Sequence, residues 1–306
     1  MKVLIATQKP FAAAAVNGIK EILQAAGHDA VLLEKYAGKD ELMAAAADAD
    51  GMIVRSDKVT AEVIAAAPKL KIVVRAGAGF DNVDLEAASA RGIVVMNTPG
   101  QNSNAVAELA IAMMIFMART QFTPATGSEI CGKTLGIQAF GNVGRLVGAK
   151  AKALGMKVKA IDPFLKDEQI EAGGAEPASS LEELYSSSDY VSIHIPATPQ
   201  TIGSIGYQLI SSMPKGATLV NTARKEVIDE AGLEKALEER PDLKYITDVA
   251  PDNYAALQEK FGLRVFATPK KMGAQTAEAN INAGLAAARQ IADFFATGNT
   301  RFQVNR

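Results

Sequence analysis

An α/β fold with two doubly wound parallel-sheet domains follows from three features of this 306-residue chain. Short runs rich in Val and Ile alternate with longer stretches bearing Ala, Glu and Lys, the pattern of βα units on a parallel sheet. The alternation breaks once, in the polar segment 119–133, RTQFTPATGSEICGK, and then restarts. The length also reaches the ~250–300 residues at which single hydrophobic cores stop growing, so two cores are expected.

In the first part the strand candidates are KVLIAT (2–7), AVLLEKY (30–36), GMIVRS (51–56), KIVVRAG (71–77) and GIVVMN (92–97). Nearly unbroken apolar strands of this kind suit a sheet covered on both faces. Helix candidates lie between them, over 11–26, 41–47 and 61–66. Residues 101–118, QNSNAVAELAIAMMIFMA, read as one long helix. Its apolar run from Leu109 to Ala118 is too short to span a bilayer, and Glu108 and Arg119 bracket it, so it is expected to be buried between domains or subunits. Beyond the break come TLGIQAF (134–140), KVKAID (157–162), YVSIHIP (190–196), ATLVNTA (217–223), KYITDVA (244–250) and RVFATP (264–269). The last helix candidate, 274–297, is long enough to return to the first domain. The expected domains are therefore 1–98 with 275–306, and 99–274.

Composition excludes several classes. A formal net charge of −2 argues against a nucleic-acid binder or a partner of anionic membranes. One cysteine, Cys131, forbids an internal disulfide and points to a reducing, cytoplasmic setting. His28 and His194 have no cysteine cluster nearby, so no metal site is expected. No secretory signal pattern opens the sequence.

The strand 134–140 runs into GNVG and a helix, and the next strand ends in Asp162. In the register G-x-G-x-x-G the residues are Ala139, Phe140, Gly141, Asn142, Val143 and Gly144. Gly141 would let the backbone approach a pyrophosphate, and Gly144 would let helix and strand pack closely. The helix N-terminus would add N–H groups and partial positive charge. Ala139, in the first glycine position, implies a turn with φ below zero there. Asp162, 18 residues beyond Gly144, would accept from both ribose hydroxyls and repel a 2′-phosphate. The expected cofactor is NAD, held by a Rossmann-like domain.

Four stretches carry a family resemblance. VVRAGAGFDNVDLEAASARGIVVMNTPGQNS (73–103) resembles the substrate loop of the phosphoglycerate-oxidising branch of the D-2-hydroxyacid dehydrogenases. GKTLGIQAFGNVGR (132–145) and TLVNTARKEVIDE (218–230) resemble that family's cofactor and catalytic segments, and TPKKMGAQTAEA (268–279) extends the likeness. On these residues the chain is identified as a member of the D-2-hydroxyacid dehydrogenase family, in a short form without a regulatory domain. The resemblance implies an NAD domain inserted into a substrate domain, and a homodimer formed through the cofactor domain near residue 110. The implied reaction is NAD-dependent oxidation of D-3-phosphoglycerate to 3-phosphohydroxypyruvate, the entry to serine biosynthesis.

The same resemblance assigns residues. Arg224 becomes the catalytic arginine, whose guanidinium can fork the carboxylate of a 2-oxo acid and polarise its carbonyl. The loop Ala76, Gly77, Ala78, Gly79 would offer backbone N–H groups to that carboxylate. Arg55 and Arg75 would meet the 3-phosphate, with Ser56 adding a hydrogen bond. Asp248 and the backbone near Ala223 would hold the nicotinamide carboxamide.

Both members of the family's proton-transfer pair differ here. Asn253 stands where the glutamate falls, with Asp252 as a displaced alternative, and Lys270 and Lys271 stand where the histidine follows Thr-Pro. A histidine base benefits from a carboxylate that holds its cation, whereas a lysine beside a carboxylate would stay an ammonium. A neutral Asn, Arg224 and a low-dielectric cleft would instead favour loss of its proton. One lysine is thus the expected acid/base. Counting from Pro269 gives Lys270, the preferred choice, and counting back from Gly273 gives Lys271. His194 is read as a packed strand residue. Two alternatives stand: a glyoxylate or hydroxypyruvate reductase, which the arginine pair disfavours, and a non-catalytic NAD(H)-sensing protein, which Arg224 and its flanks disfavour.

Overall fold

Five parallel strands, β1 (Lys2–Thr7), β2 (Asp29–Glu34), β3 (Gly51–Val54), β4 (Ile72–Arg75) and β5 (Val94–Asn97), form one sheet in the order β2-β1-β3-β4-β5. Seven more, β6 (Thr134–Gln138), β7 (Lys157–Ile161), β8 (Glu176–Pro177), β9 (Tyr190–Ile193), β10 (Thr218–Asn221), β11 (Lys244–Thr247) and β12 (Val265–Ala267), form a second. Its order is β12-β11-β10-β9-β6-β7-β8, again all parallel. This computed structural model describes residues 1–305. The chain divides into two compact units, Met1–Asn102 with the segment from Gln275 onward, and Ser103–Ala274.

The α/β class and parallel sheets expected from the sequence are present, and every run read as a strand forms one. The strands stop one to three residues before most of those runs do, because their C-terminal ends peel away into loops. Those loops carry the residues of interest. β8 escaped the reading because a two-residue edge strand ending in Pro has no periodicity to detect.

In the first unit, alternate residues of each strand face opposite cores. Leu4, Ala6, Met52, Val54, Val73 and Val95 enter one cluster, and Val3, Ile5, Ile53, Ile72, Val74 and Met96 the other. The second cluster lies under the helices Ala13–Ala25 and Ala277–Thr297. These two helices approach closely: a Cβ at Gly18 would lie 2.5 Å from Leu285 Cδ2, and one at Gly284 would lie 2.9 Å from Ile19 Cδ1. Among the described residues no helix is long and apolar enough to cross a membrane, and no group of three or more metal-ligating side chains occurs.

The end of the chain closes the β5 edge. Buried Asn305 accepts from the Val95 N–H (2.8 Å) and donates to the Ile93 carbonyl (2.8 Å). Val304 N–H adds a bond to the Val95 carbonyl (2.8 Å). Asn305→Ala strands a buried donor and a buried acceptor, so it should lower unfolding stability by about 2 kcal/mol or more. Urea denaturation would check this, and a change under about 0.5 kcal/mol would show that water replaces the side chain without penalty.

Candidate active site

The second sheet reverses its winding between β6 and β9, the switch point at which doubly wound sheets bind ligands outside the carboxyl ends of their strands. The glycine turn sits there. Contrary to the expectation from its side chain, Ala139 adopts φ +73°. Its N–H is held by the Ile161 carbonyl (2.9 Å) and the next N–H, of Phe140, by Asp162 Oδ2 (2.9 Å). These bonds impose the left-handed conformation, at a cost of roughly 1–2 kcal/mol for a non-glycine residue. The two glycines obey different constraints. A Cβ at Gly144 would lie 2.3 Å from the Ala139 carbonyl oxygen, so the fold itself demands glycine. A Cβ at Gly141 would meet no atom of the described residues beyond its own chain neighbours and helix backbone within 4 Å, so packing among them does not demand glycine there.

Gly141 caps the helix Asn142–Ala153 without any side-chain hydrogen bond, which leaves the first-turn N–H groups for an anion. Asp162 Oδ1 accepts from Phe164 N–H (2.9 Å), and each carboxylate oxygen keeps a second lone pair for a hydroxyl. Phe164 itself is 91% exposed beside that acid, a flat apolar surface that the sequence reading overlooked. An aromatic two residues past the acid was the available signal. Backbone, helix terminus and acid together fit a pyrophosphate and a ribose.

A second group of residues gathers at the ends of β10, β11 and β12. Asn221, buried at the end of β10, accepts from Ala223 N–H (2.9 Å) and donates to the Arg224 carbonyl (2.9 Å), which shapes the loop carrying Arg224. Thr247 Oγ1 donates to the Asn221 carbonyl (2.8 Å) and accepts from Val249 N–H (2.9 Å), tying in the loop after β11. Asp248 Oδ2 then accepts from Gly273 N–H (2.6 Å) and Met272 N–H (3.0 Å). Burial pushes the Asp248 carboxyl up from its ordinary value, opposed by those two donors and by the charges of Lys271 and Arg224.

The Ala223 carbonyl accepts from both Arg224 Nη1 (2.9 Å) and Lys271 Nζ (3.1 Å). Both lone pairs of that carbonyl are thereby used, and the Ala223 N–H is donated to Asn221 Oδ1. Asp248 Oδ1, buried without a hydrogen-bond partner among the described residues, is the acceptor better suited to a carboxamide. Lys270 and Lys271 line the same open pocket as Arg224 and Asp248. Lys270 engages through its carbonyl, which accepts from Thr268 Oγ1 (2.7 Å), whereas Lys271 engages through its ammonium. Held between the Thr268 turn and the Asp248 clamp, Lys271 and not Lys270 is the lysine bonded to the Arg224 loop.

Asp252 and Asn253 also separate. Asp252 pairs its carboxylate with Lys225 and is strongly exposed. Asn253 keeps a buried Oδ1 without a hydrogen-bond partner among the described residues. Glu230 accepts from both backbone N–H groups, of Asp252 (2.8 Å) and Asn253 (3.3 Å), and so anchors this loop.

In the first unit, Arg55 follows β3 and Arg75 ends β4. Arg75 Nε donates to the Arg55 carbonyl (2.9 Å). The Arg75 guanidinium passes so close to Gly77, which has φ +149°, that a Cβ there would lie 1.5 Å from Nη1. Ser56 is exposed. One expectation is corrected: the Ala76 N–H is already donated to the Val54 carbonyl (2.8 Å), extending the sheet, so any anion contact falls to Gly77, Ala78 and Gly79.

His194, just past β9, donates its backbone N–H to the Gln138 carbonyl (2.9 Å), and its Nε2 lies 3.0 Å from Ser192 Oγ. Burial pulls the imidazole down to about 4 from 6.5, so it is uncharged at neutral pH and a poor proton donor there. Between those values the unfolded chain binds more protons, so stability falls as pH drops from about 6.5 to about 4. At 1.36 kcal/mol per pKa unit the loss reaches about 3 kcal/mol. His194→Gln should lose correspondingly less across that window, read from urea midpoints at stepped pH. Equal acid losses in the two proteins would refute the assignment.

The model of the D-isomer specific 2-hydroxyacid dehydrogenase catalytic domain matches residues 10–305. A structure of an NAD⁺-bound 3-phosphoglycerate dehydrogenase from Entamoeba histolytica superposes with a TM-score of 0.90 at 52% identity, covering 100% of this chain and 99% of that one. The D-3-phosphoglycerate dehydrogenase of Methanocaldococcus jannaschii is 39% identical over 83% of this chain and 51% of its own length. The rat enzyme of the same name is 38% identical over 90% of this chain and 54% of its own length. This chain thus spans about half the length of those two relatives. With a family model matching nearly all of it, the chain belongs to the D-isomer specific 2-hydroxyacid dehydrogenase family.

Proposed function

We propose that the chain is an NAD-dependent oxidoreductase that converts D-3-phosphoglycerate to 3-phosphohydroxypyruvate, the entry step of serine biosynthesis. The observation that carries the chemistry is the convergence of the Arg224 guanidinium and the Lys271 ammonium on one carbonyl, that of Ala223, beside buried Asp248. The name of the Entamoeba structure supports both cofactor and substrate.

Arg224 would hold the substrate carboxylate by a two-point fork and stabilise charge on the C2 oxygen. Lys271, as free amine, would take the C2 hydroxyl proton during oxidation, and as ammonium would return it during reduction. NAD⁺, when bound, supplies the hydride acceptor. One proton and one hydride thus leave the substrate, and a carbonyl remains. Asn253 is neutral where the family has a glutamate, so position 253 would add no negative charge to raise the proton affinity of that lysine. Asp248 Oδ1 would accept from the carboxamide, and Asp162 would favour NAD by its charge. Arg55 and Arg75 would bind the phosphate, which sets this reading apart from a glyoxylate reductase. The helix Ser103–Ala118 leaves Leu109, Ile115 and Phe116 only partly covered, and Phe122 meets Phe116 edge to face while 69% exposed. This supports association as a homodimer. Exposed, unpaired Cys131 supports a cytoplasmic setting.

Gly141→Ala should fold within about 0.5 kcal/mol of the parent yet bind NADH at least about tenfold more weakly. Gly144→Ala should lose about 2 kcal/mol of stability or more, because its Cβ clashes with backbone. Melting curves beside NADH fluorescence titrations separate the two effects, and unaltered NADH affinity in Gly141→Ala would remove the cofactor from that turn. For the proton step, Lys271→Ala should lower kcat for 3-phosphohydroxypyruvate reduction by about 10²–10⁴ while retaining NADH binding. Lys270→Ala should stay within about threefold of the parent, and the reverse pattern would move the role to Lys270. A parent protein that binds NADH but reduces no 2-oxo acid at any pH would instead be a sensor.

A further inference from the structure

The first sheet also has a switch point, between β1 and β3, where the strand order turns back on itself. The loop after β1, which carries Gln8, Pro10 and Phe11, and the loop after β3, from Arg55 to Asp57, border that crevice. One carboxylate joins them. Asp57, only 4% exposed, accepts on Oδ1 from Gln8 N–H (2.6 Å) and from the Tyr36 hydroxyl (2.7 Å). Its Oδ2 lies 3.4 Å from Arg55 N–H, and its backbone carbonyl accepts from Asn82 Nδ2 (2.6 Å).

The guanidinium of Arg55 depends on both loops. It lies over the Phe11 ring, 5.4 Å from the centroid, with Nη1 3.4 Å from the Pro10 carbonyl. The Arg55 carbonyl accepts from Arg75 Nε (2.9 Å), so the second arginine is registered on the first. Where the guanidinium lies therefore follows from how the β1 loop sits against the β3 loop, and Asp57 is their shared point. Tyr36, just past β2 and 7% exposed, supplies the side-chain donor to that carboxylate. Burial, reinforced by Asp57, keeps its phenol protonated.

We propose that Tyr36 and Asp57 are positioning residues that pre-set Arg55, and with it Arg75, for a phosphate, and so determine preference for phosphorylated over unphosphorylated 2-oxo acids. This rests on the reading of Arg55 and Arg75 as the second anion site. An arginine ordered before binding loses less rotamer freedom on meeting its dianion, so the gain appears in substrate affinity and not in the chemical step. Removing the tyrosine hydroxyl leaves Asp57 Oδ1 with one donor and loosens the tie between the loops.

The test compares 3-phosphohydroxypyruvate with hydroxypyruvate as substrates for the full chain with NADH, in the parent, Tyr36→Phe and Asp57→Asn, alongside melting curves. Tyr36→Phe should raise KM for the phosphorylated substrate about tenfold with kcat within about twofold, and leave kcat/KM for hydroxypyruvate unaltered. Asp57→Asn should move selectivity in the same direction, and it serves as the readout if Tyr36→Phe does not fold. Equal losses on both substrates, or none on either, would overturn the positioning role while the anion site stands. A parent protein with no preference for the phosphorylated substrate would overturn the anion-site reading itself, and the inference with it.

Discussion

A buried carboxylate at the end of β11 holds the candidate catalytic loops in shape. Asp248 clamps the Met272 and Gly273 N–H groups, and this fixes the chain just past Lys271. Its location is costly in solvation, which is why burial pushes its proton affinity up. The cost is offset locally by two N–H donors and two nearby cations. Without the clamp, the segment after Thr268 would lose two backbone anchors while keeping the Thr268–Lys270 and Lys271–Ala223 bonds. Lys271 would then be held less closely, and the proton transfer proposed for it demands one position.

Parallel sheets create this need generally. Their strands all end at one edge, so the functional side chains sit on separate loops that share no backbone ladder. Three aspartates supply cross-ties here. Asp162, at the end of β7, holds the turn after β6 through Phe140 N–H. Asp57 joins the loops after β1 and β3. Asp248 joins the loop after β11 to the segment after β12. In each case a carboxylate accepts backbone N–H bonds, which are charge-assisted and stronger than neutral ones.

How far the sequence foretold this varies with the physics of each feature. The sheets were readable because apolar strand runs and helix stretches alternate along the chain. Asp162 and the glycine turn were picked out by local spacing, whereas Arg224 was assigned by resemblance to the family. The contacts that distinguish Lys271 from Lys270 were not readable, since they depend on Asp248 and Ala223, tens of residues away along the chain. The Ala139 turn was misread for a similar reason: its side chain disfavours positive φ, but bonds to β7 and Asp162 outweigh roughly 1–2 kcal/mol of local strain. Nor could Ala76 have been excluded in advance, because only the β3–β4 register shows that its N–H is taken.

The proposed exchange of a glutamate–histidine pair for asparagine and lysine has a physical rationale. A carboxylate at position 253 would add a second acid to a region that already buries Asp248. Two acids near one lysine would hold it as an ammonium and withdraw it as a base. Asn253 avoids this while keeping a polar oxygen inside the fold. The remaining acids of the loop are occupied elsewhere, Glu230 by the backbone N–H groups of Asp252 and Asn253, and Asp252 by Lys225. Lys271 Nζ donates to a neutral carbonyl, that of Ala223. A carbonyl can accept from an ammonium or from an amine, so under the proposed role this bond would not need to break as the Lys271 proton moved.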